Sequence, residues 1–255
     1  MHYLRCILSI DGSEFLGSSK QPNLKGALNY IESKLKTLGI NTPNIIASSR
    51  TDKGVHAFYQ VLRFEVSRLY KDLDTLKSLL NKKLYPYMLI HSLDEVASSF
   101  HPRFDASART YRYVFSSKLI EPFYNRYISI LDFGDLELAR KACKIFKGRH
   151  DFQSFSKSGS EVKNYEREIY QIFIYKRKLF NMELFILSIT ANAFLRSQVR
   201  LIAKAISLVS LKRLDLESLK LQLDNKAALK DCIRVLAPPN GLYLTRIHFK
   251  NKPLL

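Results

Sequence analysis

Between the short apolar stretch Asn44-Ile45-Ile46-Ala47 and an alternating segment at 58–66 lies Ser48-Ser49-Arg50-Thr51-Asp52-Lys53-Gly54-Val55-His56-Ala57. It is polar, carries three charges and contains a glycine. That is the composition of a loop held up by a sheet, where reactive groups tend to sit. Arg50 and Lys53 flank Asp52. Nearby cations favour an ionised carboxylate, and such a carboxylate can act as a nucleophile or a base. An aspartate in a loop can equally cap a turn or form a surface ion pair, so Asp52 alone decides nothing.

A second group of residues suits contact with a polyanion. In Ala106-Ser107-Ala108-Arg109-Thr110-Tyr111-Arg112-Tyr113-Val114-Phe115, strand alternation puts Tyr111, Tyr113 and Phe115 on one face and Thr110, Arg112 and Val114 on the other. Arginine interleaved with tyrosine can stack on a base while touching phosphates; the plainer reading is a strand with an aromatic core face. Arg196 and Arg200 lie four apart in a helical pattern, which would place them on one face.

The whole chain narrows the possibilities. In 255 residues, 41 Lys and Arg stand against 23 Asp and Glu, a formal charge of +18. This excess suits a phosphate backbone, although a basic solvated surface would give the same count. A hydrophobic content of 46% fits a folded chain with a substantial core. No apolar run approaches the length of a membrane span, and Met1-His2-Tyr3-Leu4-Arg5 has no signal-peptide pattern. Cys6, Cys143 and Cys232 are odd in number and far apart, which matches neither a disulfide framework nor a zinc site and suggests packed thiols in a reducing cytoplasm. No phosphate-binding loop, dinucleotide fingerprint or metal pattern is present, so no cofactor and no metal are expected.

The elements that must position these residues follow from periodicity. Alternation predicts strands at 3–10, 58–66, 89–95 and 106–115, and strands at 167–175 and 182–190 that are apolar on both faces and therefore central. Helices are expected at 24–38, capped by Asn23 and stopped by Gly39; at 72–84; at 135–147, with Leu138, Ala142 and Phe146 inward and Gly148 as the stop; and from about 193 to 208, capped by Asn192. Short helices at 215–233 lead to a last strand at 242–249, and the segment 156–164 reads as a polar loop. The first half has the order of a split βαβ unit. A break at 100–105 suggests two α+β halves, 1–103 and 104–255.

Taken together and in order, these motifs resemble the TruA-type tRNA pseudouridine synthases. The matching blocks are Ser49-Arg50-Thr51-Asp52-Lys53-Gly54-Val55-His56-Ala57, Phe100-His101-Pro102-Arg103-Phe104, Ala108-Arg109-Thr110-Tyr111-Arg112-Tyr113, Gly148-Arg149-His150-Asp151-Phe152, Ala191-Asn192-Ala193-Phe194-Leu195 with Val199-Arg200, and Ala237-Pro238-Pro239-Asn240-Gly241-Leu242-Tyr243-Leu244. The resemblance implies a pseudouridine synthase fold, in which two α+β halves share a mostly antiparallel mixed sheet with a central basic cleft. It also implies a cytoplasmic homodimer that isomerises uridines on the 3′ side of the anticodon stem-loop of tRNA. By the same resemblance Asp52 is the catalytic nucleophile, Tyr111 stacks on the target base and Arg200 pairs with Asp52. Arg50, Lys53, His56, Arg109 and Arg112 are expected to contact the RNA. The chain departs from the family pattern at Ser49 (usually glycine), at Lys53 (usually small) and at Ser18, which stands where a tryptophan normally follows the glycine.

The chemistry agrees with the residues. Making pseudouridine breaks the N1–ribose bond of uracil, rotates the ring and rejoins it through C5, with no redox change or phosphoryl transfer. A base worked on in this way must leave its stack, which calls for an aromatic platform. Two other readings use the same residues: a relative that grips or remodels tRNA without chemistry, and a synthase acting on another RNA. The intact Arg50-Thr51-Asp52, Tyr111 and Arg200 set favours the enzyme, because a carboxylate facing phosphates has no use in a pure binder.

Overall fold

A computed structural model describes residues 1–42, 44–67, 72–157, 164–225 and 233–249. Cys232, most of the polar loop expected at 156–164 and the later part of the helical stretch expected at 215–233 lie outside them. Two compact units emerge: Met1–Ser107 with Tyr243–Leu255, and Ala108–Leu242. The last strand thus groups with the N-terminal residues, whereas a boundary at 103/104 counts all of it with the second half.

In the first unit, β1 (His2–Ile10) is antiparallel to both β3 (His56–Val66) and β4 (Met88–Val96). The short β2 (Ile45–Ala47) pairs antiparallel with β3 at 62–64, where β1 pairs on the other side. β1 and β2 are therefore parallel with β3 between them, and the connecting α1 (Ala27–Lys36) completes the split βαβ unit read from the sequence. β10 (Leu242–Phe249) adds to β3 in parallel at Tyr243 and Leu244. Leu4, Cys6 and Leu8 of β1 and Leu62 and Phe64 of β3 are buried on one face, as strand alternation requires. α2 (Leu73–Leu84) turns Leu76, Leu80 and Leu84 inward, and its Asn81 side chain satisfies both the N–H and the C=O of Ile90 on β4.

Helix α1 begins later than its sequence pattern suggests. Leu24 is exposed with φ +60, so the helix starts only after Gly26. The Asn23 side chain accepts from Lys25 N–H within the preceding turn instead of capping.

In the second unit, β5 (Ala106–Ser116) runs antiparallel to β9 (Met182–Ala191) and parallel to the two-residue β6 (Ser129–Ile130). β9 pairs with β8 (Glu166–Leu179), which carries β7 (Gly148–Asp151) on its other edge. α3 (Leu136–Phe146) covers β8 and packs beside α4 (Gln198–Ser210) and α5 (Leu216–Leu223). It buries Ala139, Ala142, Cys143 and Phe146, and its N-cap Asp135 accepts from Glu137 N–H and Leu138 N–H.

Two expectations change here. β9 is central, but β8 is not covered as predicted. β7 pairs only with residues 166–169, and no other strand among the described residues takes that edge beyond them. Tyr170, Phe173 and Leu179 of β8 are accordingly exposed. α4 starts at Gln198, after Ser197 at φ +59, so Arg196 lies in the preceding turn and does not share a helical face with Arg200. Asn192, the expected cap, instead accepts from Glu168 N–H and Ala193 N–H.

Ten strands in mostly antiparallel pairing and five α-helices among the described residues make the fold α+β. None of these helices is long and apolar enough to cross a membrane.

Candidate active site

In the first unit, the loop from Ser48 to Val55 is tied down at four places. At its entry, the Ser48 hydroxyl donates to Gln60 Oε1 at 2.7 Å, and Gln60 Nε2 donates to Ser49 O at 2.9 Å. Gln60 is 1% exposed. Its amide therefore does for the incoming limb what a strand partner would do. Further along, Thr51 N–H donates to Ser18 Oγ at 2.7 Å, while Ser18 N–H donates to Thr51 O at 3.1 Å. At the exit, Val55 N–H donates to Asp52 O, which closes a β-turn over Lys53 and Gly54. Gly54 has φ +78, a conformation open to glycine and strained for most other residues.

The fourth tie is His56. Its Nδ1 accepts from Gly12 N–H at 3.0 Å, which leaves Nε2 to carry the proton of the neutral ring. Asp11 Oδ1 is 3.3 Å from the same nitrogen and accepts from the N–H and hydroxyl of Ser13. A Cβ on Gly12 would stand 1.9 Å from Val55 O, so the strand end and the loop approach as only glycine permits. Tyr243 on β10 lies with His56 on one side, at a centroid distance of 4.9 Å, and Phe58 on the other, at 5.0 Å. Phe58, which follows the apolar spacing of β3, is exposed apart from this stack.

This frame decides what each residue of the loop can offer. Asp52 is half-buried, whereas Arg50 and Lys53 are exposed. His56 is 2% exposed and has no free face for RNA, so the ring belongs to the support of the loop.

In the second unit, Tyr111 sits on the buried face of β5, with its ring edge-on to Phe194 at 5.1 Å. Arg112 points to the opposite, exposed face, next to the paired hydroxyls of Thr110 and Thr190 at 2.9 Å. Arg109 is largely buried and donates from Nη1 to Asn192 O at 2.8 Å, which holds the start of the 192–197 turn. Arg200, half-buried on α4, donates from Nε to Ala237 O at 2.7 Å and accepts from Ala237 N–H through its own carbonyl. This two-way clamp fixes the start of Ala237-Pro238-Pro239-Asn240-Gly241. The far end of that motif is held by Asn240, which donates to Ile128 O and accepts from the buried Ser129 hydroxyl, and by Gly241, whose carbonyl accepts from Val114 N–H. Burial pushes the Tyr113 phenol well above its ordinary value.

The sequence singled out Asp52, Tyr111 and Arg200 as candidates but not the residues that hold the Asp52 loop. Gln60 was legible in principle, as an amide interrupting an apolar stripe at a strand spacing of two. Ser18 and Gly12 carry no such mark, because their partners lie more than thirty residues away.

With this geometry described, comparison with known proteins gives a consistent result. A family model for tRNA pseudouridine synthase matches residues 6–105 and 142–250. The chain belongs to this family. A tRNA pseudouridine synthase A of Helicobacter acinonychis is 41% identical over 249 residues, covering 98% of this chain and 100% of that protein. The enzyme of the same name from Helicobacter pylori strain P12 is also 41% identical over 249 residues. That of Campylobacter jejuni subsp. doylei is 39% identical over 247 residues, covering 97% of this chain and 99% of the relative. Membership makes the chain an isomerase that forms pseudouridine in tRNA. Among the described residues no cluster of His, Cys, Asp or Glu could hold a metal ion.

Proposed function

We propose that this enzyme isomerises uridines in the anticodon arm of tRNA, on the 3′ side of the stem-loop, with Asp52 as nucleophile. The observation that carries the reading is the setting of Asp52: one half-buried carboxylate in the family's signature motif, on a loop bonded to the protein core on both sides. Its carboxylate attacks the target nucleotide as the bond between C1′ and N1 breaks. The uracil turns, C5 joins C1′ as the carboxylate leaves the nucleotide again, the proton leaves C5 and N1 gains one, so the product is an isomer and nothing is oxidised or reduced. Tyr111 presents its ring to the flipped base and its hydroxyl to the departing C5 proton. By the family resemblance Arg200, a permanent cation, is the charge partner of the Asp52 carboxylate. Arg50, Lys53 and Arg112, which are exposed, take phosphates; His56 and Arg109 brace the segments that carry the others. The family resemblance supports action as a homodimer in the cytoplasm, and buried free thiols at Cys6 and Cys143 suit that compartment.

The test is pseudouridine mapping on unmodified tRNA incubated with wild type and with Asp52→Asn. Wild type is expected to modify only the anticodon arm, and D52N to bind tRNA without converting it. Pseudouridine made by D52N, or binding without conversion by wild type, would overturn the proposal. Light scattering of the purified protein checks the dimer.

A further inference from the structure

We infer that Ser18 is a positioning residue for Asp52, holding it in register through the backbone of Thr51. The inference rests on the reading of Asp52 as the nucleophile and deepens it. Ser18 is 3% exposed and meets Thr51 twice: its N–H donates to Thr51 O at 3.1 Å, and its hydroxyl accepts from Thr51 N–H at 2.7 Å. These two bonds take up both backbone polar groups of the residue next to Asp52. Thr51 is half-buried and both of its backbone groups are bonded to Ser18, so it has little freedom to shift without losing one of them.

Ser18 is itself anchored. A helix leaves its first N–H groups without partners inside the helix. In α1 the N–H of Ala27 donates to Gly17 O at 3.1 Å and that of Leu28 to Ser18 O at 3.0 Å. The 17–18 segment is thereby fastened to the start of a helix whose Leu28, Ile31 and Leu35 are buried. Gly17, at φ +108, lets the segment pass the loop, since a Cβ there would lie 3.0 Å from Thr51 O. The line of support runs from α1 through Gly17 and Ser18 to Thr51, and on the other side of Asp52 the Val55 N–H holds its carbonyl.

Of these contacts, only the hydroxyl of Ser18 can be deleted without touching the main chain. Ser18→Ala keeps the N–H bond to Thr51 O and removes the acceptor for Thr51 N–H. Misplacing a reacting group by about 1 Å costs on the order of a hundredfold in rate. For S18A we expect kcat to fall about 10- to 100-fold, with KM for tRNA held and the melting temperature lowered by only a few degrees. Amide exchange should quicken at Thr51 and stay unchanged at Val61. Asp52→Asn is measured in parallel. Conversion by D52N sinks the nucleophile reading whatever S18A does. If D52N is inactive and S18A keeps full kcat, only the role of Ser18 is lost. Unchanged exchange at Thr51 in S18A would overturn it as well, because the hydroxyl would then not be holding that amide. So would a rise in KM together with a large fall in melting temperature, which marks Ser18 as part of general packing.

Discussion

Replacing Gln60 by leucine tests the frame of the Asp52 loop where its energetics are most accessible. Leucine has nearly the volume of glutamine and suits a strand whose neighbours Val61 and Leu62 are fully buried, so the change leaves little cavity. It removes the acceptor of the Ser48 hydroxyl and the donor to Ser49 O. Val61 N–H keeps a second contact, with Ser48 Oγ at 3.4 Å, and is not orphaned. Ser48 is 2% exposed, and a buried hydroxyl left without its partner costs about 1–3 kcal/mol. Ser49 is half-buried, so its carbonyl can reach water and its lost bond is worth about 0.5–1.5 kcal/mol. Together Q60L should lose about 2–4 kcal/mol in urea unfolding followed by circular dichroism. Turnover should fall in Q60L because the entry limb of the loop loses its tie. A Q60L protein within about 0.5 kcal/mol of wild type, the size of an ordinary surface change, would refute the claim that this amide holds the loop.

Three further outcomes follow from the same structure. Gly12→Ala drives a methyl group into Val55 O and should cost about 1–3 kcal/mol with a matching loss of turnover; a stable, fully active G12A would show that the close approach is dispensable. Burial pushes the Cys143 thiol up to about 12 and Cys6 higher still, so mass-mapped alkylation at pH 8 should spare both in the native protein and label both in denaturant; rapid native labelling of Cys143 would contradict its packing. The Asp135 carboxyl is held below its ordinary value by the N–H groups of Leu138 and Glu137, so its stabilising effect is present above the unfolded carboxylate value and is lost as pH falls through the lower folded one. Asp135→Ala should therefore lower the unfolding midpoint at neutral pH by more than in strong acid; a gap that stays constant down the acid range would count against the cap.

The strands were largely legible from the sequence, and the candidates for the reactive groups came from the family resemblance. Leu4, Cys6, Leu8 and Ile10 alternate as a half-buried strand must, and the reading of β1 needed only that. Helix starts were less visible, for one physical reason. Asn23 and Asn192 have the right side chain for a cap, but each is committed elsewhere, Asn23 to its own turn and Asn192 to Glu168 and Ala193. The first N–H groups of α1 are met by the carbonyls of Gly17 and Ser18, a backbone solution that leaves no mark in residue type. Periodicity also says nothing about how far a neighbouring strand extends, so β8 looked covered when β7 is four residues long. At the candidate site, the family resemblance singled out Asp52, Tyr111 and Arg200 as candidates; the roles of Ser18, Gly12 and Gln60 depend on contacts that exist only once the chain has folded.

That short β7 has a consequence for how the protein is handled. From Tyr170 to Leu179 no strand among the described residues takes one edge of β8, which offers backbone groups and exposed aromatic rings to another extended chain, the arrangement that seeds edge-to-edge association. The same stretch carries Lys176, Arg177 and Lys178, with Arg177 laid over the Tyr175 ring. A copy adding in parallel register would set these cations against their equals, so the strand is guarded by charge more than by cover. Charge is screened over about 8 Å at physiological ionic strength and about 3 Å at 1 M salt. The salt that weakens the grip of a basic protein on RNA during purification also lowers this guard, and the step that frees the enzyme from its substrate is the one at which it is most open to self-association.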